Sequence, residues 1–257
     1  MDSTLRFSNR VENYVKYRPR YPGDVIEALQ KDCALTSASL IADIGSGTGA
    51  LTELFLQNGN QVVAVEPNRE MRKAAEDLLN IYPGFRSIEG RAEATTLNDL
   101  SFDFVVVGQA FHWFDIREAR REFMRIIKPS GWVMVVWNER AFDTTPFLVA
   151  YDQLLQRHAP DYARERHKNV YDTALDDFYG VGGFASKAFH YSQELDYEGM
   201  KGRLLSSSYT PVPGHPNYEP MIAELSEIYR DHEINGRVTF EYITRMYFGR
   251  LNGVSSK

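Results

Sequence analysis

A chain of 257 residues can hold one large folded unit with a sizeable buried core. With 25% charged and 43% hydrophobic residues the composition is that of an ordinary globular protein, and a formal net charge of -6 supplies no general attraction to a phosphate backbone. One cysteine, Cys33, excludes an intrachain disulfide and any multi-cysteine metal site. Residues 1–10 lack the apolar run of a secretory signal, and the longest apolar stretches, near Val105 and Val133, are too short to span a bilayer. A cytoplasmic location without membrane or nucleic-acid partners is the expectation, and the oligomeric state is left open. No internal repeat or low-complexity tract is visible.

In chain order, an N-terminal arm punctuated by Pro19 and Pro22 leads into an amphipathic helix over 22–31, followed by Cys33 as a buried thiol. Strands are expected over 40–44, 61–65, 85–89, 102–107 and 131–137, with helices over 48–58, 68–80 and 115–127. Pro129 and Gly131 mark a turn between the last of these helices and the last strand. Such alternation implies an α/β fold, a doubly wound sheet with helices on both faces. After Trp137 the pattern loosens. A helix near 147–157, a charged stretch and Gly180-Val-Gly-Gly183 come first. A strand over 185–195 follows, with Phe189, Tyr191 and Leu195 on one side. Helices over 197–207 and 218–233 are separated by the Pro/Gly-rich 211–220, and a β-branched and aromatic strand over 238–248 ends the pattern. The run Arg117, Arg120, Arg121, Arg125 has helical spacing and is interleaved with Glu118 and Glu122, which reads as a solvated helix face.

The segment Leu40-Ile-Ala-Asp-Ile-Gly-Ser-Gly-Thr-Gly49 is a buried strand that runs into a glycine-rich turn and then a helix. Such a turn lets a ligand lie against bare backbone. A second buried strand, 61–65, ends at Glu66, where a carboxylate can accept two ribose hydroxyls. The pair points to a nucleoside-bearing cofactor. Gly45, Gly47 and Ala50 also satisfy the dinucleotide pattern G-x-G-x-x-G/A. Asp43 argues against that alternative, because a carboxylate there repels phosphates and suits an ammonium or sulfonium. About forty residues also precede the first strand, whereas dinucleotide domains often begin with it.

Beyond the turn, the sequence resembles the class I S-adenosylmethionine-dependent methyltransferases. "DIGSGTG" at 43–49, "VVAVEP" at 62–67, "IEGRAE" at 88–93, "FDFVVVGQAFHWF" at 102–114 and "IIKPSGWVMVVW" at 126–137 look like their five motifs, in order and with ordinary spacing. The resemblance covers roughly residues 10 to 140. It implies S-adenosylmethionine as cofactor and S-adenosylhomocysteine as product. It also implies a Rossmann-like seven-stranded sheet, mostly parallel, with the last strand antiparallel between the fifth and sixth. On this reading residues 1–257 form a single methyltransferase domain. Residues 1–35 are its arm and first helix, 36–140 the cofactor-binding core, and 141–257 lid insertions with the last two strands. The opening Tyr14-Val-Lys-Tyr-Arg-Pro-Arg-Tyr-Pro22 looks like that of the trans-aconitate methyltransferase-like branch.

The resemblance distributes roles. Backbone amides of Gly45, Ser46 and Gly47 would face the methionine part, with Gly49 a further cofactor-binding candidate and Asp43 near the amino end or merely capping local amides. Glu66 would hold the ribose, next to Pro67, and Met71 would pack on the adenine or belong to the core. Many relatives carry an acidic residue where this chain has Arg91, so Glu93 and the amide of Ala92 become the adenine candidates. Gln109 would reach the amino or carboxylate end of the cofactor. Tyr14 and Arg18 would close over it, Arg18 pairing with the methionine carboxylate, unless the arm is only a surface strap. His112 is the candidate catalytic base or substrate ligand, because either protonation state is accessible near neutral pH. Trp113 would exclude water or face the sulfonium. For His112 and Trp113 the alternative is aromatic packing. Trp137 and Asn138, and in the lid Arg203 or Tyr209, are candidates to touch the acceptor. No metal is called for. A small-molecule acceptor, possibly methylated on a carboxylate, is the expected partner. The alternatives are a macromolecular acceptor, a non-catalytic S-adenosylmethionine-binding module and a nicotinamide oxidoreductase.

Overall fold

The computed structural model describes residues 11–162 and 171–251, the side chains of Val11, Glu12, Tyr14 and residues 171–173 apart. Seven strands form one sheet: β1 (Leu40–Ile44), β2 (Gln61–Val65), β3 (Phe85–Ile88), β4 (Phe102–Gly108), β5 (Ile127–Arg140), β6 (Phe184–Leu195) and β7 (Val238–Gly249). Their order across the sheet is β3-β2-β1-β4-β5-β7-β6. The first five pair in parallel, and β7 runs antiparallel to both β5 and β6. The last strand therefore lies between the fifth and sixth, as the resemblance implied. β1 has β2 on one side and β4 on the other. That reversal of strand order opens a crevice beyond their carboxyl ends.

Apolar strands buried on both faces need helices on both faces. One face packs Ile44, Val65, Val107, Val135 and Trp137 against α5 (Ile116–Ile126) and α7 (Tyr171–Tyr179) through Phe123 and Phe178. The other packs Ile41, Val62, Val106 and Val136 against α2 (Asp24–Cys33) and α3 (Ala50–Gln57) through Leu29 and Phe55. Cys33 is buried there, and desolvation pushes its thiol up to about 12. A third core joins α6 (Pro146–His158), α8 (Tyr197–Leu205) and α9 (Tyr218–His232) to Val238, Phe240 and Tyr242 of β7. Helix α1 (Val11–Tyr17) lies on α8, where a Cβ on Gly202 would meet the Tyr17 ring at 2.0 Å. Helix α4 (Arg69–Leu79) starts at Asn68, whose Oδ1 accepts from the Met71 amide.

Two expectations need correction. α5 stops at Ile126, and Ile127 already pairs with Phe102, while Trp132 pairs with Phe104. Pro129 and Gly131 thus sit in a bulge inside β5, where Gly131 passes so close to Ile127 that a Cβ would meet Cγ1 at 2.5 Å. Within the loosely patterned 141–183, α7, a helix beyond α6, closes one face of the sheet.

The arginine run of α5 is engaged locally. Arg121 pairs with Glu118, Arg125 with Glu122 and Asp99, and Arg120 donates to the Phe178 carbonyl. No helix among the described residues is long and apolar enough to cross a membrane.

Candidate functional site

The turn after β1 is shaped by close approach. Gly45 adopts φ 71°, and a Cβ there would lie 2.7 Å from the Cβ of Ala110, so the turns after β1 and β4 meet at this point. Its amides are spent internally. Gly45 and Ser46 N–H donate to the Val65 carbonyl (2.8 and 3.2 Å), Gly49 N–H to Ser46 (2.9 Å), and Gly47 N–H to Glu66 Oε2 (2.9 Å). The expectation that the Gly45, Ser46 and Gly47 amides face a ligand is corrected: the turn offers bare surface. Gly49 moreover lines neither cavity described below; a Cβ there would strike Leu79 at 2.5 Å, so its role is packing against α4.

Two buried carboxylates stand at this crevice. Glu66 accepts from Gly47 through Oε2 and from Asn68 N–H through Oε1 (2.8 Å). It therefore pins the first turn to the second, a structural task the sequence did not reveal, and each oxygen keeps one lone-pair direction for a further donor. Burial raises its pKa. Asp43 is fully buried and accepts from Thr52 Oγ1 at 2.6 Å, while its Oδ1 has no partner. Desolvation, opposed by the Thr52 bond and reinforced by Glu66, pushes its carboxyl up to about 7. An orphaned buried carboxylate oxygen beside a second carboxylate suits a cationic ligand group and disfavours phosphates.

A cavity of about 540 Å³ opens over these groups. It brings together Gly45, Gly47, Glu66, Pro67, Met71, Ala92, Glu93, Gln109 and Trp113 from the sequence reading. Arg91 lines it too, as do residues the reading missed: Asn68, Ala110, Phe114 and Asp115. Asn68 and Asp115 cap the two helices that flank the cavity. Glu93 Oε1 accepts from the Asp115 amide (2.9 Å), fastening the third loop to the fourth. Gln109 holds a left-handed φ of 61° while its N–H bonds Val136 O (3.0 Å) and its Nε2 bonds Asn138 O (3.3 Å). A residue other than glycine held there is locally strained, a feature that clusters at functional sites. A second, smaller cavity of about 40 Å³ continues from the turn and is lined by Arg18, Asp43, Ser46 and Gln109.

The remaining candidates lie elsewhere. Arg18 lines the small cavity but also donates to the Ser206 carbonyl (3.0 Å). The Tyr14 side chain is outside the described residues. His112 is exposed beside Trp113, ring centroids 4.6 Å apart, and lines neither cavity. Trp137 is corrected from an acceptor contact to core: strand alternation turns it inward, edge-on to Phe111 (6.0 Å) and Tyr247 (5.8 Å). Asn138 lines neither cavity and acts as a clasp, donating to Arg20 O (3.1 Å) and accepting from Thr244 Oγ1 (2.6 Å). No group of three His, Cys, Asp or Glu placed to hold a metal occurs among the described residues.

Comparison with known proteins agrees with this geometry. A family model described as a methyltransferase domain matches residues 42–135. The chain is 30% identical over 225 residues to an uncharacterized methyltransferase of Schizosaccharomyces pombe, covering 86% of each. It is 37% identical over 139 residues to one of Mycobacterium tuberculosis, covering 54% of each. Among solved structures, one from Anaeromyxobacter dehalogenans, provisionally named a type II methyltransferase, shares the fold with a TM-score of 0.67 at 19% identity. That match spans 91% of this chain and 98% of the other.

Proposed function

The chain belongs to the class I S-adenosylmethionine-dependent methyltransferases, and we propose that it delivers the methyl group to a small molecule. S-adenosylmethionine is the cofactor, and when bound it supplies a methyl on a cationic sulfonium, transferred by in-line displacement. Glu66 is the ribose acceptor, aided by Pro67 and Asn68 at the start of α4. Met71, Ala92 and Glu93 flank the adenine, and Asp43 with Gln109 receives the ammonium end. Support for these roles is the shared cavity and the orphaned Asp43 oxygen.

The observation that carries the small-molecule reading is the strapping of the N-terminal arm. Arg18 donates to Ser206 O, Asn138 to Arg20 O (3.1 Å), and Gln193 Nε2 to Tyr17 O (3.2 Å). These long-range bonds tie the arm over the methionine end to β5, β6 and the segment after α8. An acceptor must fit beneath that cover, which favours a small molecule over a protein or nucleic acid. We read residues 141–257 as lid and closing strands of one methyltransferase unit, a reading supported by β7 bridging β5 and β6.

A carboxylate is the acceptor atom that best suits the arrangement, in line with the trans-aconitate methyltransferase-like opening. It is already ionised and needs no base, and His112 stands on the outer rim. His112 and Trp113 then orient the acceptor and limit water. The test is a screen of small acids, phenols and amines with radiolabelled methyl donor. Label is expected in a base-labile ester; label in protein or RNA alone would overturn the proposal.

A further inference from the structure

Arg203 is an anomaly outside the two cavities. Helix α8 carries it into the interior, where it is 6% exposed and its partners are neutral. Nε donates to the Tyr242 hydroxyl (3.1 Å) and Nη1 to Ser207 Oγ (3.1 Å). No carboxylate among the described residues pairs with it. Nearby Arg140, its side chain 9% exposed, reaches Asp152 (3.3 Å) and the Tyr162 hydroxyl (2.7 Å) and covers the Tyr151 ring. Asp152 is shared further, accepting from Tyr162 and Gln156. Of these two buried guanidiniums, only that of Arg140 has a carboxylate partner among the described residues. A guanidinium withdrawn from water without a counter-charge is costly to keep.

Tyr209 reports the excess. Burial raises its phenol, yet Arg203 and Arg140, a hydrogen bond with the Ser207 side chain and then Arg18 together hold it below the ordinary value. Its ring lies 5.1 Å from that of Tyr162. The cluster also adjoins the donor site. Arg140 continues β5 beyond Asn138, on the same side of the strand, where Asn138 clasps the arm. Arg18 links the small cavity to Ser206, at the head of the irregular segment 206–217 that carries Tyr209. That segment, free of helix or strand, is the element that can part to admit a ligand.

We propose that Arg140 and Arg203, with the hydroxyls of Ser207 and Tyr209, form the subsite for an oxyanion of the methyl acceptor, a carboxylate or a phosphate. The proposal rests on the small-molecule reading above. An oxyanion gripped by guanidiniums has its lone pairs occupied. The gripped group is therefore the recognition handle, and the methyl goes to a different atom of the same molecule.

The test is calorimetric titration of the full chain, saturated with S-adenosylhomocysteine, with glutarate, with inorganic phosphate and with uncharged glutaramide. Glutarate or phosphate is expected to bind and glutaramide not; which of the two binds identifies the handle. Arg203→Met and Arg140→Met should each weaken the anion roughly tenfold or more, with S-adenosylhomocysteine affinity held within about twofold. Tyr209→Phe keeps the ring and should weaken the anion several-fold, which preserves the test should Arg203→Met not fold. Failure of both anions to bind the native chain, or undiminished binding to the folded variants, would overturn the subsite. Failure of the native chain to bind S-adenosylhomocysteine would instead break the donor reading, so the two are separable.

Discussion

The two ends of the crevice solve the same problem, placing polar groups in a dry interior, in opposite ways. At the donor end, beyond β1, β2 and β4, carboxylates are fixed by backbone amides of neighbouring turns: Glu66 by Gly47 and Asn68, Glu93 by Asp115. They surround an open cavity of about 540 Å³. At the other end, side chains hold side chains. Arg140, Asp152, Tyr162, Arg203, Ser207 and Tyr242 form a closed cluster drawn from β5, α6, α8 and β7 and the residues that follow the two helices. A site held by backbone resists change, because each bond belongs to the fold. A site held by side chains can be rebuilt by substitution without disturbing the sheet. One end is therefore suited to a constant donor and the other, as the proposed oxyanion subsite, to a particular acceptor.

The largest expected effect breaks this contrast at its firmest point. Glu66→Ala removes the carboxylate proposed to hold both ribose hydroxyls and should weaken S-adenosylhomocysteine binding by at least about 100-fold, two charge-assisted bonds at about 1.5 kcal/mol each. It also strands the Gly47 and Asn68 amides, so stability should fall by about 1–3 kcal/mol. Calorimetry and urea melts read the two losses. Unchanged affinity would remove Glu66 from the ribose; unchanged stability would deny that a donor-site carboxylate is part of the fold.

A smaller effect follows from Asp43. Its folded-state pKa is raised to about 7 by burial, so below that pH the carboxyl is mostly neutral and offers the ligand ammonium no charge. A cation binds the ionised form, and affinity must therefore rise with pH through the free-state value. S-adenosylhomocysteine binding should tighten roughly tenfold between about pH 6 and pH 8. Asp43→Asn should flatten that profile at the weaker level. A native profile already flat would place the ammonium elsewhere and return Asp43 to its bond with Thr52.

The same contrast explains what the sequence made legible. Donor-end features are local: a strand, a glycine turn and a carboxylate one strand later lie within 40–66, and period and turn chemistry expose them directly. Even the missed cavity residues Asn68 and Asp115 carried a readable mark, since each stands at the N-cap of an amphipathic helix. What stayed hidden was the use of each polar atom, because the partner of the Gly47 amide depends on where the second turn lands. The Trp137 error arose at a strand end, where one register position separates core from crevice. Arg140 and Arg203 come from elements 63 residues apart by number, and no periodicity joins them. Only the packing of α6 and α8 against β7 brings them into one buried region, where Asp152 pairs with Arg140 alone.

The smallest effect concerns His112, which belongs to neither end. It projects from the rim beside Trp113, and ring contact with that tryptophan is its shown neighbour. With a carboxylate acceptor the nucleophile carries its charge beforehand, so no proton must leave in the transition state. His112→Gln should then lower turnover by less than about threefold and leave S-adenosylhomocysteine affinity unchanged, since general-base help worth about 10²–10⁴-fold is not in use. A phenol or amine acceptor reverses the expectation, because proton removal would then limit the rate and the same substitution would cost about 100-fold or more. Turnover measured across pH separates the cases: the His112→Gln loss should be uniform for a positioning role and confined to the neutral-imidazole range for a base. A large loss of the second kind would place the reacting atom at the rim and make it a protonated nucleophile, with the buried arginine cluster keeping its recognition role.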